Sequence, residues 1–350
     1  MIKLLIVDDS ALMRRLIRQV FEEEGNFEIR TARNGIEAIE LNREFKPDVI
    51  TLDINMPEMD GLTALSYIMA ERPVPVIMVS SLTEKGALAT FEALNLGAVD
   101  YVTKPGGTVS LSVESIKKEL ISKVYAAVKA NIKRRNSIRE RIERKIKVIK
   151  EKRKDFLKRT EKGIVIIGVS TGGPSTLEKI LPFLPKEFPW PVIVVQHMPE
   201  AFTGPFAERM DKLCQLSVQE VRRPTFVESG NIYIARGGAD CVIKKREGRI
   251  MLIPKPEDPK FLWHPSVDAL GYSVIENLDC RTVIGVLLTG MGYDGADSFS
   301  EIKKRGGRTI AESEESAVVF GMPQELIKRG GATVVLPAEK ISERLITWVM

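Results

Sequence analysis

Two histidines and three cysteines are all that the 350 residues contain, and these shortages exclude whole classes of chemistry. Cys214, Cys241 and Cys280 are odd in number and widely spaced, so they supply neither a zinc ligand set nor a disulfide framework. They read as thiols in a reducing compartment. No apolar run approaches the ~18 residues of a membrane span. The opening MIKLLIVDDS ends its four-residue apolar run at Asp8 and Asp9, too soon for a signal peptide. The expectation is a cytoplasmic protein with no membrane insertion. A chain that is 44% hydrophobic and 28% charged is not a disordered one. Its length suits about two domains at roughly 100–200 residues each.

The formal charge of +5 is unevenly placed. Lys133 to Lys162 carries 15 Lys and Arg against five acids, which leaves the rest of the chain about five negative. Basic character therefore belongs to one segment rather than to a nucleic-acid-binding face. From Ile116 to Phe156 there is neither Gly nor Pro, and Ile138, Ile142, Ile146 and Ile149 form one stripe at helical spacing. Residues 126–161 are expected to be a charged, helical linker between a domain at 1–125 and another at 162–350.

Both flanking regions alternate short apolar runs with helical patterns, the mark of buried parallel strands in a doubly wound α/β sheet. In the first, strands are expected at Leu4–Val7, Glu28–Ala32, Asp48–Leu52, Val76–Val79 and Asp100–Thr103, with a last helix from Val113. In the second, Ile164–Val169, Val192–Gln196, Thr282–Leu288, Arg308–Ala311 and Thr333–Leu336 read as strands. Helices are expected over Pro174–Leu184, Phe206–Cys214 and Pro265–Asn277, and after Gly295. Ser217–Ile253 alternates residue types and reads as an antiparallel insertion with a hairpin turn at Glu247-Gly248. The fold class is thus two mostly parallel α/β domains, the second with that insertion.

Strand ends in such sheets form the ligand-binding rim. In the first domain Asp8, Asp9 and Asp53 fall there, three carboxylates that repel unless a cation joins them. All-oxygen ligands with open positions suit Mg²⁺. Ser80 and Lys104 end the fourth and fifth strands, where a hydroxyl and an ammonium could hold a phosphoryl group carried by Asp53. Lys104-Pro105 is a candidate cis peptide. The segments LLIVDDSALMRR, DVITLDINMPEMDG, VIMVSS and DYVTKP closely resemble two-component receiver domains. That resemblance implies a flavodoxin-like fold phosphorylated at Asp53 by a histidine kinase. It also implies Mg²⁺ held by Asp8, Asp9, Asp53 and the backbone carbonyl of Asn55. Ser80, Lys104 and Tyr101 would sense the phosphoryl group.

In the second domain a strand runs into Gly168-Val169-Ser170-Thr171-Gly172-Gly173-Pro174. Glycines around a serine at a strand-to-helix turn free its hydroxyl and aim backbone N–H groups at a developing oxyanion. A phosphate cradle would look similar. The histidines narrow the choice, since a hydrolytic serine needs a base. His197 follows a strand on the same edge, whereas His264 lies in a Pro-flanked loop and reads as structural or substrate-contacting. Asp294, after the strand Thr282–Leu288, is the candidate orienting acid and Asp297 its rival. The order Ser, His, Asp is not that of α/β-hydrolases, and the glycine spacing does not fit a dinucleotide site.

The segments IIGVSTGGP, VVQHMP, WHPSVDAL and LLTGMGYDGA closely resemble the catalytic domain of the chemotaxis methylesterase CheB. The resemblance implies Ser170 as nucleophile, His197 as general base and acid, and Asp294 as orienter of the histidine. Met291 N–H would be the oxyanion donor, with Thr171 beside it. It implies hydrolysis of glutamate methyl esters on chemoreceptors and deamidation of receptor glutamines, with no cofactor for hydrolysis. The linker is longer and more basic than the family pattern suggests.

Overall fold

The computed structural model describes residues 1–81, 83–104, 109–130 and 163–350. These fall into two compact units, 1–130 and 163–350. The expected linker helix lies outside the described residues from residue 131 onward, as do its isoleucine stripe and the Lys104–Pro105 peptide bond. No described helix is long and apolar enough to cross a membrane.

The N-terminal unit is a five-stranded sheet of β1 (Ile2–Val7), β2 (Phe27–Ala32), β3 (Val49–Asp53), β4 (Val76–Ser80) and β5 (Asp100–Thr103). All neighbours pair in parallel, in the order β2-β1-β3-β4-β5. Every residue of β3 and β4 is buried, which is why they read as mostly apolar runs without alternation. Its helices are α1 (Ala11–Glu24), α2 (Gly35–Glu44), α3 (Gly61–Glu71), α4 (Glu84–Leu96) and α5 (Val109–Val128). Ser10, Asn34, Asp60 and Thr83 cap the first four, each accepting a backbone N–H from the first turn. The last helix begins four residues before the expected Val113.

The C-terminal unit has a seven-stranded parallel sheet in the order β15-β14-β13-β6-β7-β10-β8. Its strands are β6 (Ile164–Val169), β7 (Val192–Gln196), β8 (Ser217–Val221), β10 (Asn231–Ala235), β13 (Val283–Leu287), β14 (Arg308–Glu312) and β15 (Val334–Leu336). A separate antiparallel sheet holds β9 (Thr225–Phe226), β11 (Asp240–Arg246) and β12 (Arg249–Lys255). The turn at Glu247-Gly248 is present, with φ of 52° and 74°. Two positive values suit the strand twist of a two-residue hairpin.

Three expectations need correction. The antiparallel insertion is smaller than Ser217–Ile253, because β8 and β10 join the main sheet in parallel. Edge strand β8 alternates because one of its faces is open to solvent, a pattern that does not reveal strand direction. The helix expected over Pro174–Leu184 is broken into α6 (Gly173–Leu177) and a 3₁₀ turn at Leu181–Phe183. Pro182 has no N–H for the Glu178 carbonyl. Conversely, α7 spans Glu200–Leu213 and starts six residues before Phe206, carrying Pro205 inside it. There the missing proline donor forfeits a single bond, to the Ala201 carbonyl. The remaining helices are α8 (Val267–Asn277), α9 (Ala296–Lys304), α10 (Met322–Lys328) and α11 (Ala338–Val349).

Gly61, the first residue of α3, packs its backbone on the end of β3 and donates its N–H to the Ile54 carbonyl at 2.8 Å. A Cβ there would fall 2.0 Å from the Asp53 carbonyl oxygen. Gly61→Ala is therefore expected to destabilise the N-terminal unit by about 1–3 kcal/mol, as overpacking does, read as a lower urea midpoint.

Candidate functional site

In the N-terminal unit, β1 and β3 are neighbours in the sheet, and the chain turns in opposite directions from them. Asp8 and Asp9 follow the first and Asp53 closes the second. Their carboxylate oxygens lie within 4.8 Å of one another. Asp8 and Asp53 are buried and Asp9 is exposed. The Lys104 ammonium lies 2.7 Å from Asp53 Oδ2 and 2.9 Å from Asp8 Oδ2. Burial pushes the Asp53 carboxyl above its usual range, and the Asp8 charge adds to this, while Lys104 opposes both. Burial works against the Lys104 charge, yet its two carboxylate partners win and raise its pKa. One ammonium thus serves two buried carboxylates, with the exposed Asp9 carboxylate beside them and the Arg14 guanidinium on the Asp8 and Asp9 backbone carbonyls, at 2.7 and 2.9 Å. The surplus of about two negative charges on hard oxygen donors fits a divalent cation such as Mg²⁺.

The other expected members are placed differently. Asn55 is exposed in the loop that leaves β3. The Ser80 hydroxyl is buried and donates to the Gly86 carbonyl at 3.2 Å, within the first turn of α4. The Tyr101 ring is buried with the Lys123 ammonium 4.9 Å from its centre. Burial pushes its phenol well above the ordinary value, with Asp100 and Glu119 adding to it.

In the C-terminal unit, β13, β6 and β7 lie side by side, and each runs at its C-terminal end into one of the expected polar residues. The ladder continues past the strands. Ser170 N–H donates to the Thr289 carbonyl at 2.9 Å, and His197 N–H to the Val169 carbonyl at 3.0 Å. The Ser170 and His197 backbones therefore sit one strand spacing apart, ~4.8 Å. Gly290 lies against the serine, for a Cβ at that position would meet Ser170 Cβ at 2.7 Å.

His197 Nε2 and Asp294 Oδ2 are 2.8 Å apart. Asp294 is 2% exposed and its two oxygens are saturated. Oδ1 accepts the Ser266 hydroxyl and the Asp268 N–H, both at 2.9 Å, and Oδ2 also accepts the Val267 N–H at 2.7 Å. These N–H groups open α8, so the carboxylate occupies a helix N-terminus. Burial pushes its pKa up, but the His197 bond and charge and the two N–H donors outweigh it and hold the carboxyl below its usual range.

With Nε2 committed, the other ring nitrogen of His197, Nδ1, is left buried and without a hydrogen-bond partner. Thr171 Oγ1 and Gln196 Oε1 are in the same condition. Three such atoms at the ends of two neighbouring strands are unusual, because buried polar groups in folded proteins are nearly always paired.

The rival assignments separate cleanly. Asp297 is exposed and paired with Arg329 at 2.8 Å. His264 Nδ1 rests 3.1 Å from Asp240 Oδ2. Asp240 in turn accepts the N–H groups of Ser266 and Asp258, so His264 braces the loop before α8. Helix α6, at five residues, is too short to add much dipole behind Ser170.

Several contributors were not legible in the sequence. The Gln196 amide donates to the carbonyls of Ser170 and His197, at 3.0 and 3.1 Å, tying the two together. The Trp263 ring stacks on His197 at 5.5 Å between centroids and 4° between planes. Tyr293 meets that indole edge-on at 5.3 Å. The segment WHPSVDAL marks this loop, and its tryptophan and serine, rather than its histidine, make the contacts to His197 and Asp294.

The geometry describes a two-part α/β protein with a cluster of three carboxylates in one unit and a serine, a histidine and a buried aspartate in the other. A family model described as response regulator receiver domain matches residues 4–114, and one described as CheB methylesterase matches residues 165–345. The chain belongs to the CheB methylesterase family. It is 54% identical to the Rhodospirillum rubrum protein-glutamate methylesterase/protein-glutamine glutaminase 3, over 100% of this chain and 96% of that one. It is 50% identical to the Caldanaerobacter subterraneus protein of the same designation without the number, covering 99% and 96%. The crystal structure of the Thermotoga maritima CheB methylesterase catalytic domain matches with a TM-score of 0.52 at 42% identity. That match spans 54% of this chain and all of the other.

Asp294→Asn keeps the side-chain shape but cannot carry the charge that three donors and the histidine face. The expected loss is about 1–3 kcal/mol of stability at neutral pH. A carboxyl whose folded pKa lies below its unfolded value stabilises above that unfolded value, about 4, and this contribution is lost as pH falls through the folded one. The deficit relative to the parent should therefore shrink on acidification, as followed by thermal unfolding at a series of pH values.

Proposed function

We propose that the C-terminal unit is a serine hydrolase for glutamate γ-methyl esters on the cytoplasmic helices of chemoreceptors, releasing methanol during chemotactic adaptation. The observation that carries the reading is the state of His197. One nitrogen is locked on a buried, ionised aspartate and the other is buried without a partner, one strand from Ser170.

Ser170 Oγ attacks the ester carbonyl while His197 Nδ1 takes its proton. Asp294 holds the ring and stabilises the imidazolium that forms. The Met291 N–H, with Thr171 beside it, receives the developing oxyanion. Collapse expels methanol, protonated by the imidazolium. Water, deprotonated by the same nitrogen, then cleaves the acyl-enzyme to leave glutamate and free serine. A glutamine side chain offers a carbonyl of the same geometry with ammonia as leaving group, so deamidation proceeds through the same residues. No cofactor takes part in either hydrolysis.

The N-terminal unit is the regulatory input. Asp53 accepts a phosphoryl group from a chemotaxis histidine kinase. Asp8, Asp9, Asp53 and the Asn55 carbonyl would hold Mg²⁺, which supplies positive charge against the phosphoryl oxygens. Lys104, already on Asp53, supplies a second. Ser80 leaves the Gly86 carbonyl to reach the new oxygens, and the buried Tyr101 side repacks with it. The added charge shifts a conformational equilibrium rather than creating a new catalytic group. The protein acts in the cytoplasm, where its phosphodonor and substrate helices are found.

Ser170→Ala is expected to abolish methanol release from methylated receptor membranes while Asp53 still takes up phosphate from a small-molecule phosphodonor. Asp53→Asn should show the reverse, basal release without phosphate uptake. Substantial methanol release by the Ser170 variant would remove that residue from the mechanism.

A further inference from the structure

Glu312 closes β14 and is fully buried, although no step above uses it. Its Oε2 accepts the Thr289 N–H and its Oε1 the Ser316 hydroxyl, both at 2.8 Å. Thr289 is the residue through which the neighbouring loops are joined. Its carbonyl accepts the Ser170 N–H at 2.9 Å, and its hydroxyl donates to the Thr171 carbonyl at 2.8 Å. The next residue, Gly290, lies against Ser170 and bonds Val319 and Met322 through its own backbone. Met291 follows. This buried carboxyl is thus one of the anchors of the segment that touches the serine on one side and bears the oxyanion donor on the other.

We propose that Glu312 is a positioning residue for the hydrolysis, fixing the Thr289–Met291 loop so that Ser170 and the Met291 N–H keep their mutual geometry. The proposal rests on the hydrolase reading above. Burial pushes the Glu312 carboxyl up to about 7, with Glu339 adding to the rise and Ser316, the Thr289 N–H and Lys179 opposing it. Lys179 and Glu339 face the group from the segment after α6 and from α11, and pair with each other at 3.6 Å. The loop is then held more firmly when Glu312 is ionised, since a charged acceptor strengthens the bond to Thr289 N–H. Stability runs the other way. A carboxyl raised on folding favours the fold below its unfolded pKa and loses that contribution as pH rises through about 7.

The test compares Glu312→Ala and Glu312→Gln in the full chain, by methanol release and by the rate at which a fluorophosphonate labels Ser170. Gln can still accept from Thr289 N–H and can donate to Ser316, mimicking the protonated acid. In the Ala variant, kcat and the labelling rate should fall about tenfold or more, as loop misplacement does, with KM changed less than about threefold. The Gln variant should recover most of this loss. The parent-to-Gln rate ratio should rise from pH 6 to pH 8, while the parent's melting temperature falls relative to the Gln variant. A parental labelling rate in the Ala variant, or an equal loss in both variants, overturns the proposal. Should the Ala variant not fold, a rate ratio constant across that pH range does so. A parent that neither labels at Ser170 nor releases methanol instead refutes the hydrolase reading itself.

Discussion

The C-terminal site depends on one contact, the carboxylate of Asp294 seated at the start of α8 against His197. Burying an anion is costly unless it is fully bonded. Here two backbone N–H groups, the Ser266 hydroxyl and a ring nitrogen supply that bonding. The consequence is a depressed carboxyl pKa and a ring fixed by its Nε2 end, with Trp263 stacked on its face. Everything else at the site is arranged around that fixed ring. Gln196 ties the His197 and Ser170 carbonyls together, and Asp240 braces the loop that delivers Ser266.

The two units solve a similar problem with different strand orders and different side chains. Each has a parallel sheet whose strand order reverses beside its first strand, next to β3 in one and β13 in the other. Loops diverge at such a point and leave a crevice above the strand ends. One crevice gathers carboxylates and an ammonium. The other gathers a hydroxyl, an imidazole and a single carboxylate. Charge balance separates them: the first gathers three carboxylates around one ammonium, whereas the second sets one carboxylate against one histidine.

Most of the architecture was legible because buried parallel strands are written as continuous apolar runs, and β1, β3, β4, β6, β7 and β13 all have that form. Failures came where a local signal had two meanings. Alternation in β8 marked an edge rather than an antiparallel partner. The helix expected from Phe206 begins at Glu200 and carries Pro205 inside it, and Pro182 breaks the helix expected over Pro174–Leu184. Scarcity narrows the candidates, since the sequence holds only two histidines, and of these His197 is the one the structure sets beside Asp294.

By itself the sequence determined which residue types stand at which strand ends, because periodicity, glycine turns and the count of histidines are properties of chain order. Tertiary structure alone decided which nitrogen of His197 is spoken for, that Asp294 rather than Asp297 meets it, and that Glu312, Gln196 and Trp263 stand behind the site. Those are contacts between segments tens of residues apart. Their distances arise only once strand order and loop packing are set, and nothing in local spacing encodes them.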